Sequence, residues 1–262
     1  MKRKINKKPI YFRKFGFELE FSTPFDDVAK IVKPLILRIY GPKMLSIDQL
    51  FNNSNNNHFK KWELKYDGST ECEITTPIST MKKFDDIEKV VTSIKNKNIQ
   101  VTHKDSVHVH MQANDAPKHN IIAAWIQIEA TLLNCFPKHR RNNTYCEKLI
   151  GEKERKHKIS DFFINAEEES FNHHSIVSLQ YYDERKTVEF RMMEGNLNAN
   201  EIKQWVKFCM LFLNYAAKID PVQIICTEKK GKMKLDDMIE LLRIEDKEVI
   251  TFLILREKMF KK

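Results

Sequence analysis

Apolar residues recur along this chain with two periods, and the places where each period holds predict most of its elements. Phe15, Phe17, Leu19 and Phe21 alternate with Gly16, Glu18 and Glu20, which predicts a first strand from about Tyr11 to Ser22. Val107, Val109 and Met111 alternate with His108 and His110, and Val188, Phe190 and Met192 with Glu189 and Arg191. A shorter segment, Glu71 to Thr75, follows the same rule. Side chains two apart on a strand share a face. Each segment therefore presents one apolar face and one face carrying carboxylate, imidazole or guanidinium groups.

The helical period appears in Phe84, Ile87, Val90, Val91 and Ile94, which predicts a helix from Ser79 to about Ile94. Ile121, Ile122, Trp125, Ile128 and Leu132 predict another from about Pro117 to Asn134. Ile202, Trp205, Val206, Cys209 and Leu213 predict a long one from about Asn200 to Ala217, and Leu235 to Phe260 reads as two helices. Thr23-Pro24 before Asp26 and Asp27 predicts a helix start with a hydroxyl cap and proline in the first position. Pro34 is expected to interrupt or kink that helix. Trp62 to Tyr66 and Thr70 to Thr75 predict a hairpin around Asp67-Gly68, with Thr76-Pro77 ending its second strand. Ser175 to Gln180 and Thr187 to Met192 predict a further strand pair. The Asn-rich stretch from Asn52 to Asn57 and the polar residues 137–172 read as loops. Hairpin-like connections favour an α+β fold with a mainly antiparallel sheet over a doubly wound parallel one.

Composition narrows the class. The chain has 262 residues, enough for one large domain or a domain with an appendage. No apolar run reaches membrane-spanning length, and Met1-Lys2-Arg3-Lys4 does not begin a secretory leader, so a cytoplasmic protein is expected. Five cysteines without a Cys-x-x-Cys pair argue against both a disulfide framework and a structural zinc site. The net charge of +9 favours anionic partners. It gathers at residues 1–14, at Lys229 to Lys234 and in the run between Lys148 and His157, where solvated tails and loops are the simpler reading. Nucleic acid is an alternative partner without a supporting motif.

The chemistry rests on the paired side chains. Glu-x-Glu alone is cheap, and Glu152/Glu154 and Glu167/Glu169 repeat it in hydrophilic runs. Glu18 and Glu20 differ by alternating with large apolar residues. Two carboxylates about 5 Å apart repel by roughly 3 kcal/mol at an effective dielectric near 20, so gathering several on one face calls for a cation. Oxygen-rich donors suit Mg²⁺ or Mn²⁺, while the His108/His110 pair alone would suit zinc. Arginine and lysine nearby would complement phosphate. Phosphate-cradling glycine loops and a serine-hydrolase elbow are both missing, and the chain has only six glycines. Cys146 near His139 and His157 has no spacing that marks a thiol nucleophile.

The motifs occur in a familiar order. Gly16-Phe17-Glu18-Leu19-Glu20, Trp62 to Ser69, Glu73-Ile74-Thr75-Thr76-Pro77, Ser106 to His110 and Thr187 to Arg191 together resemble the amidoligase family. That family belongs with glutamine synthetase and glutamate-cysteine ligase. The resemblance covers about Phe15 to Ala217, leaving residues 1–14 as a basic tail and 218–262 as a helical extension. It implies a glutamine-synthetase-like catalytic domain, with a curved sheet and helices on its outer face. It implies ATP with Mg²⁺ or Mn²⁺, and an acid and an amine, small or peptide-borne, joined through an acyl phosphate. Glu18, Glu20, Glu73, His110 and Glu189 match metal-holding positions. Arg191, Glu189 and Asp67 match catalytic ones. Lys65, Ser69, His108, and Arg140 or Arg141 before Tyr145-Cys146 fall on the nucleotide or substrate side. A metal-dependent hydrolase or phosphotransferase on the same face is the alternative activity.

Overall fold

A computed structural model describes residues 11–48, 60–66, 70–141, 143–149, 174–220 and 233–261. Its centre is a seven-stranded sheet. The strands are β1 (Phe15–Phe21), β2 (Leu45–Asp48), β3 (Trp62–Lys65), β4 (Cys72–Thr75), β5 (Ser106–Gln112), β6 (Val177–Ser178) and β7 (Thr187–Glu194). They lie in the order β2-β3-β4-β1-β5-β7-β6, and β2 with β3 is the parallel pair; the others run antiparallel. The helices are α1 (Phe25–Tyr40), α2 (Phe84–Lys95), α3 (Lys118–Leu132), α4 (Tyr182–Arg185), α5 (Ala199–Ala216), α6 (Leu235–Leu241) and α7 (Lys247–Phe260). This is the expected α+β class. Among the described residues no helix is long and apolar enough to cross a membrane.

Strand pairing sorts the side chains into two faces. Leu64, Ile74, Leu19 and Val107 oppose one another across four strands, and Phe17, Val109 and Phe190 across three. Helices cover this apolar face. Phe84 of α2 packs on Phe15 and Phe17, and Tyr40 of α1 on Trp62. Trp125 of α3 and Trp205 and Phe212 of α5 close around Phe190. The stripes read from the helical period are all buried, and α3 is buried almost all round. α7 joins the same core through Val249, Phe252 and Leu253.

Several local expectations change in the fold. Pro24 stands at the cap position of α1, before its first helical residue, and no side chain caps that end. Thr23 Oγ1 instead accepts a hydrogen bond from the Gln100 backbone at 2.8 Å, so the hydroxyl ties two loops together. α1 runs on through Pro34 for 16 residues, because Leu35 and Ile36 are anchored in the core. Tertiary packing there outweighs the roughly 3 kcal/mol that a mid-helix proline costs. The first turn of the Ser79 helix is a 3-10 segment, Met81–Lys83, before α2 begins. The predicted Ser175–Gln180 strand shrinks to β6, and β2 had no signal in the periodicity. β3 and β4 pair as the hairpin required, while its Asp67-Gly68 turn lies outside the described residues. So do Asn52 to Asn57.

Candidate metal and phosphate site

Opposite the helical layer, the same register builds rows of polar side chains. Thr75, Glu18 and His108 are paired in one row. Lys65, Glu73 and Glu20 form the next, and His110, Glu189 and Ser178 another. β1 lies at the centre, so its two glutamates face β4 on one side and β5 on the other. Between Val107 and Val109 the β5–β7 register slips by one residue. Such a bulge re-aims side chains.

The result is a compact cluster. His108 Nδ1 lies 3.2 Å from Glu18 Oε2 and 3.5 Å from Glu189 Oε1. His110 Nε2 lies 3.2 Å from Glu18 Oε1 and 3.9 Å from Glu189 Oε1. Lys65 Nζ approaches Glu73 Oε1 to 2.9 Å, and Arg191 pairs with Glu189. Glu20, Glu73, Glu189 and His108 are each at most 6 % exposed, so this is no solvated polar surface.

Burial and charge split the carboxylates. Burial acts to raise the Glu18 carboxyl, but the His110 charge and hydrogen bonds from both imidazoles hold it well below the ordinary range. Burial and the Glu18 charge push Glu73 well above that range, against the pull of Lys65. For His110, burial opposes protonation, yet Glu18 and Glu189 raise it above an ordinary imidazole. Burial likewise works against the Lys65 ammonium, which Glu73 and Glu18 nevertheless hold in its charged form.

These directions carry a sign. A carboxyl raised in the native state binds more protons folded than unfolded, so stability falls as pH climbs from about 4.3 through the native value. His110 contributes in the same direction, its stabilisation being lost as pH rises through its raised value. In chelator, Glu73→Gln is therefore expected to raise the melting temperature at pH 8 by a few degrees, corresponding to about 1 kcal/mol. It should also flatten the decline that begins above about pH 4.3. Calorimetry at several pH values checks this; an unchanged slope would remove the crowding argument.

The donor set fits a divalent cation. Glu18, His108 and Glu189 each offer one atom within 4.8 Å of the others. Adjacent ligands of a cation bound at about 2.1–2.5 Å stand roughly 3.0–3.5 Å apart, close to the spacings here. Among the described residues no thiolate takes part: burial pushes the Cys146 thiol up to about 11, and those of Cys72 and Cys135 to about 12. At neutral pH such thiols are poor nucleophiles and poor ligands.

Of the residues singled out in the sequence, Glu18, Glu20, Glu73, Glu189, His108, His110, Lys65 and Arg191 come together. Asp67 and Ser69 lie outside the described residues. Arg140 is buried and donates to the backbone carbonyl of Arg191, so it braces the strand beside the site. Arg141 bonds instead to the carbonyls of Phe136 and Phe260, at the end of α7. Ser106 was missed as a site residue. Its hydroxyl lies 2.5 Å from Glu20 Oε2 and 2.6 Å from His108 Nε2. The strand period that selected His108 and His110 also selects Ser106, two positions earlier.

Comparison with known proteins gives the family. The family described as "Putative amidoligase enzyme" matches residues 12–213, from the residues before β1 to the last turns of α5. No curated protein matches the chain at a significant level. The matched span takes in every strand of the sheet and thus the whole charged face. The chain belongs to the amidoligase family.

Proposed function

We propose that the protein is an ATP-dependent carboxylate–amine ligase acting from a glutamine-synthetase-like sheet in the cytoplasm. The observation that carries this reading is the buried face on which four carboxylates and two imidazoles meet Lys65 and Arg191. Anionic side chains suited to divalent cations, flanked by fixed cations, form a charge pattern complementary to a polyphosphate bridged by metal. Family membership supplies the reaction class.

Glu18, Glu20, Glu73, His110 and Glu189 are the residues proposed to hold Mg²⁺ or Mn²⁺. When bound, such a cation neutralises phosphate charge and orients the phosphoryl group for transfer. Arg191, fixed by Glu189 and by the Tyr145 carbonyl at 3.2 Å, offsets charge developing on that group. The substrate carboxylate oxygen bonds to the γ-phosphorus of ATP and ADP leaves, giving an acyl phosphate. The amine nitrogen then bonds to the acyl carbon, phosphate leaves and the amine gives up a proton. No step needs a protein nucleophile, in keeping with the high, buried thiols.

Mass spectrometry of products from ATP, Mg²⁺ and pooled carboxylates and amines tests the proposal. ADP, phosphate and a new amide mass are expected together. ADP without an amide would replace the ligase with a hydrolase or phosphotransferase on the same face. No nucleotide turnover, with a salt-sensitive shift of random DNA or RNA, would favour the nucleic-acid reading.

A further inference from the structure

Beyond the charged cluster, one end of the sheet opens into a cavity of about 550 Å³. Ser22 follows β1 and Glu71 precedes β4, and both line it because these strands run antiparallel with Phe21 opposite Cys72. Alternation puts Ser22 on the same face as Glu20, and Glu71 on the same face as Glu73. Gln100, Thr102 and Asp105 line the cavity from the chain leading into β5. At about 3.4 Å per residue, Ser22 lies about 7 Å beyond Glu20 and about 14 Å beyond Glu18.

The lining carries unmet negative charge. Asp105 is wholly buried. Its Oδ2 accepts from the Thr102 backbone at 2.6 Å, from Ser22 Oγ at 2.7 Å and from Thr102 Oγ1 at 3.2 Å. Its Oδ1 has no hydrogen-bond partner among the described residues. Glu71 is exposed on the wall, and no lysine or arginine among the described residues pairs with either carboxylate. A buried carboxylate so incompletely satisfied is uncommon and costly. Ser22 gives its one proton to Asp105, so toward a ligand its oxygen can only accept. At the rim, exposed Lys104 can keep its ammonium in water on a long stem. His103 packs edge-on to His139, their ring centroids 6.1 Å apart. The cavity thus offers acceptors and negative charge to a group rich in N–H.

We propose that this cavity is a subsite for an alkylammonium group of the substrate, remote from the reacting atoms and held between Glu71 and the Ser22–Asp105 pair. A substrate anchored here must span about 7–14 Å to reach the cluster, the length of two to four extended residues. It is therefore an elongated molecule with a charged amino end: a diamine reacting at its other nitrogen, or a peptide-like acid anchored by its amino terminus. This rests on the ligase reading for the reaction, but the binding itself needs no ATP.

Calorimetric titration of the full chain in Mg²⁺, without nucleotide, tests the subsite with cadaverine and with triglycine as probes. Saturable binding is expected for at least one of them, and the tighter of the two assigns the anchored substrate as amine or acid. Glu71→Gln should weaken that binding about tenfold, and Asp105→Asn at least as much, each removing a charged acceptor. Pentanol and N-acetyl-triglycine, which lack the ammonium, should not bind. Affinity within about twofold of the parent in folded Glu71→Gln overturns the assignment. Equal binding of the acetylated peptide, or no saturation by either probe, overturns it as well. If Asp105→Asn does not fold, Glu71→Gln and the acetylated peptide decide. Glu71-dependent binding without amide formation once ATP is added defeats the ligase reading alone.

Discussion

Glu18→Gln is expected to lower amide formation by at least about a thousandfold, roughly 4 kcal/mol of transition-state stabilisation. Glu18 is the carboxylate that the others meet. One of its oxygens faces His108 and the other His110, each at 3.2 Å. Its charge also reaches Lys65, Glu73 and Arg191. Glutamine keeps the volume but removes the charge, and its N–H₂ would meet a cation with the wrong end of a dipole. The fold should survive, because β1 is held by backbone ladders on both sides and by its apolar face. A modest stability loss of about 1–2 kcal/mol is expected at neutral pH, since the native state favours the ionised form of Glu18. Glu73→Gln should move stability the other way. Product mass spectrometry alongside thermal melts separates the two quantities; activity within tenfold of the parent would place the chemistry elsewhere.

Arg256→Ala should produce the largest stability loss, about 3–5 kcal/mol, with a fall in melting temperature on the order of 10 °C. The guanidinium is 5 % exposed and donates to four oxygen atoms on three groups. It donates to the Cys135 carbonyl at 2.9 Å, to Glu201 Oε2 at 3.1 Å, and to both oxygens of Glu194 at 2.7 and 2.5 Å. The rings of Phe136, Phe252 and Phe260 surround it within 5.3 Å. Truncation would leave the Glu194 carboxylate at the end of β7 without its cation and open a void among aromatics. Arg256→Lys should recover little, because a point charge cannot hold a planar fork of partners or stack on rings. A loss under about 1 kcal/mol in chemical denaturation would mean that water replaces these contacts freely.

That arginine marks where reading the chain directly stops. Nothing around Arg256 carries a motif, and residues 218–262 read only as a helical extension. In the fold α7 closes one end of the core and secures the strand that bears Glu189 and Arg191. Arg140 and Arg141 illustrate the same limit. Both are basic residues in a polar segment, yet one braces the Arg191 backbone and the other the end of α7. Polar composition suggested exposure. Long-range backbone acceptors made Arg140 interior and left Arg141 half-buried.

The paired side chains were legible because their signal is local. Alternation alone put Glu18 with Glu20, His108 with His110, and Glu189 with Arg191 on shared faces, since the strand period is built into the backbone. The helical stripes were legible for the same reason, and the order of motifs carried the family. Which strands adjoin, and in what register, depends on apolar packing between segments as much as ninety residues apart. Only the tertiary structure therefore decided that Glu18 stands opposite His108, that Glu20 faces Glu73, and that Ser106 lies between an imidazole and a carboxylate. Periodicity fixes a side chain's face; neighbours across the sheet are chosen by the burial of the opposite face, which no single segment encodes.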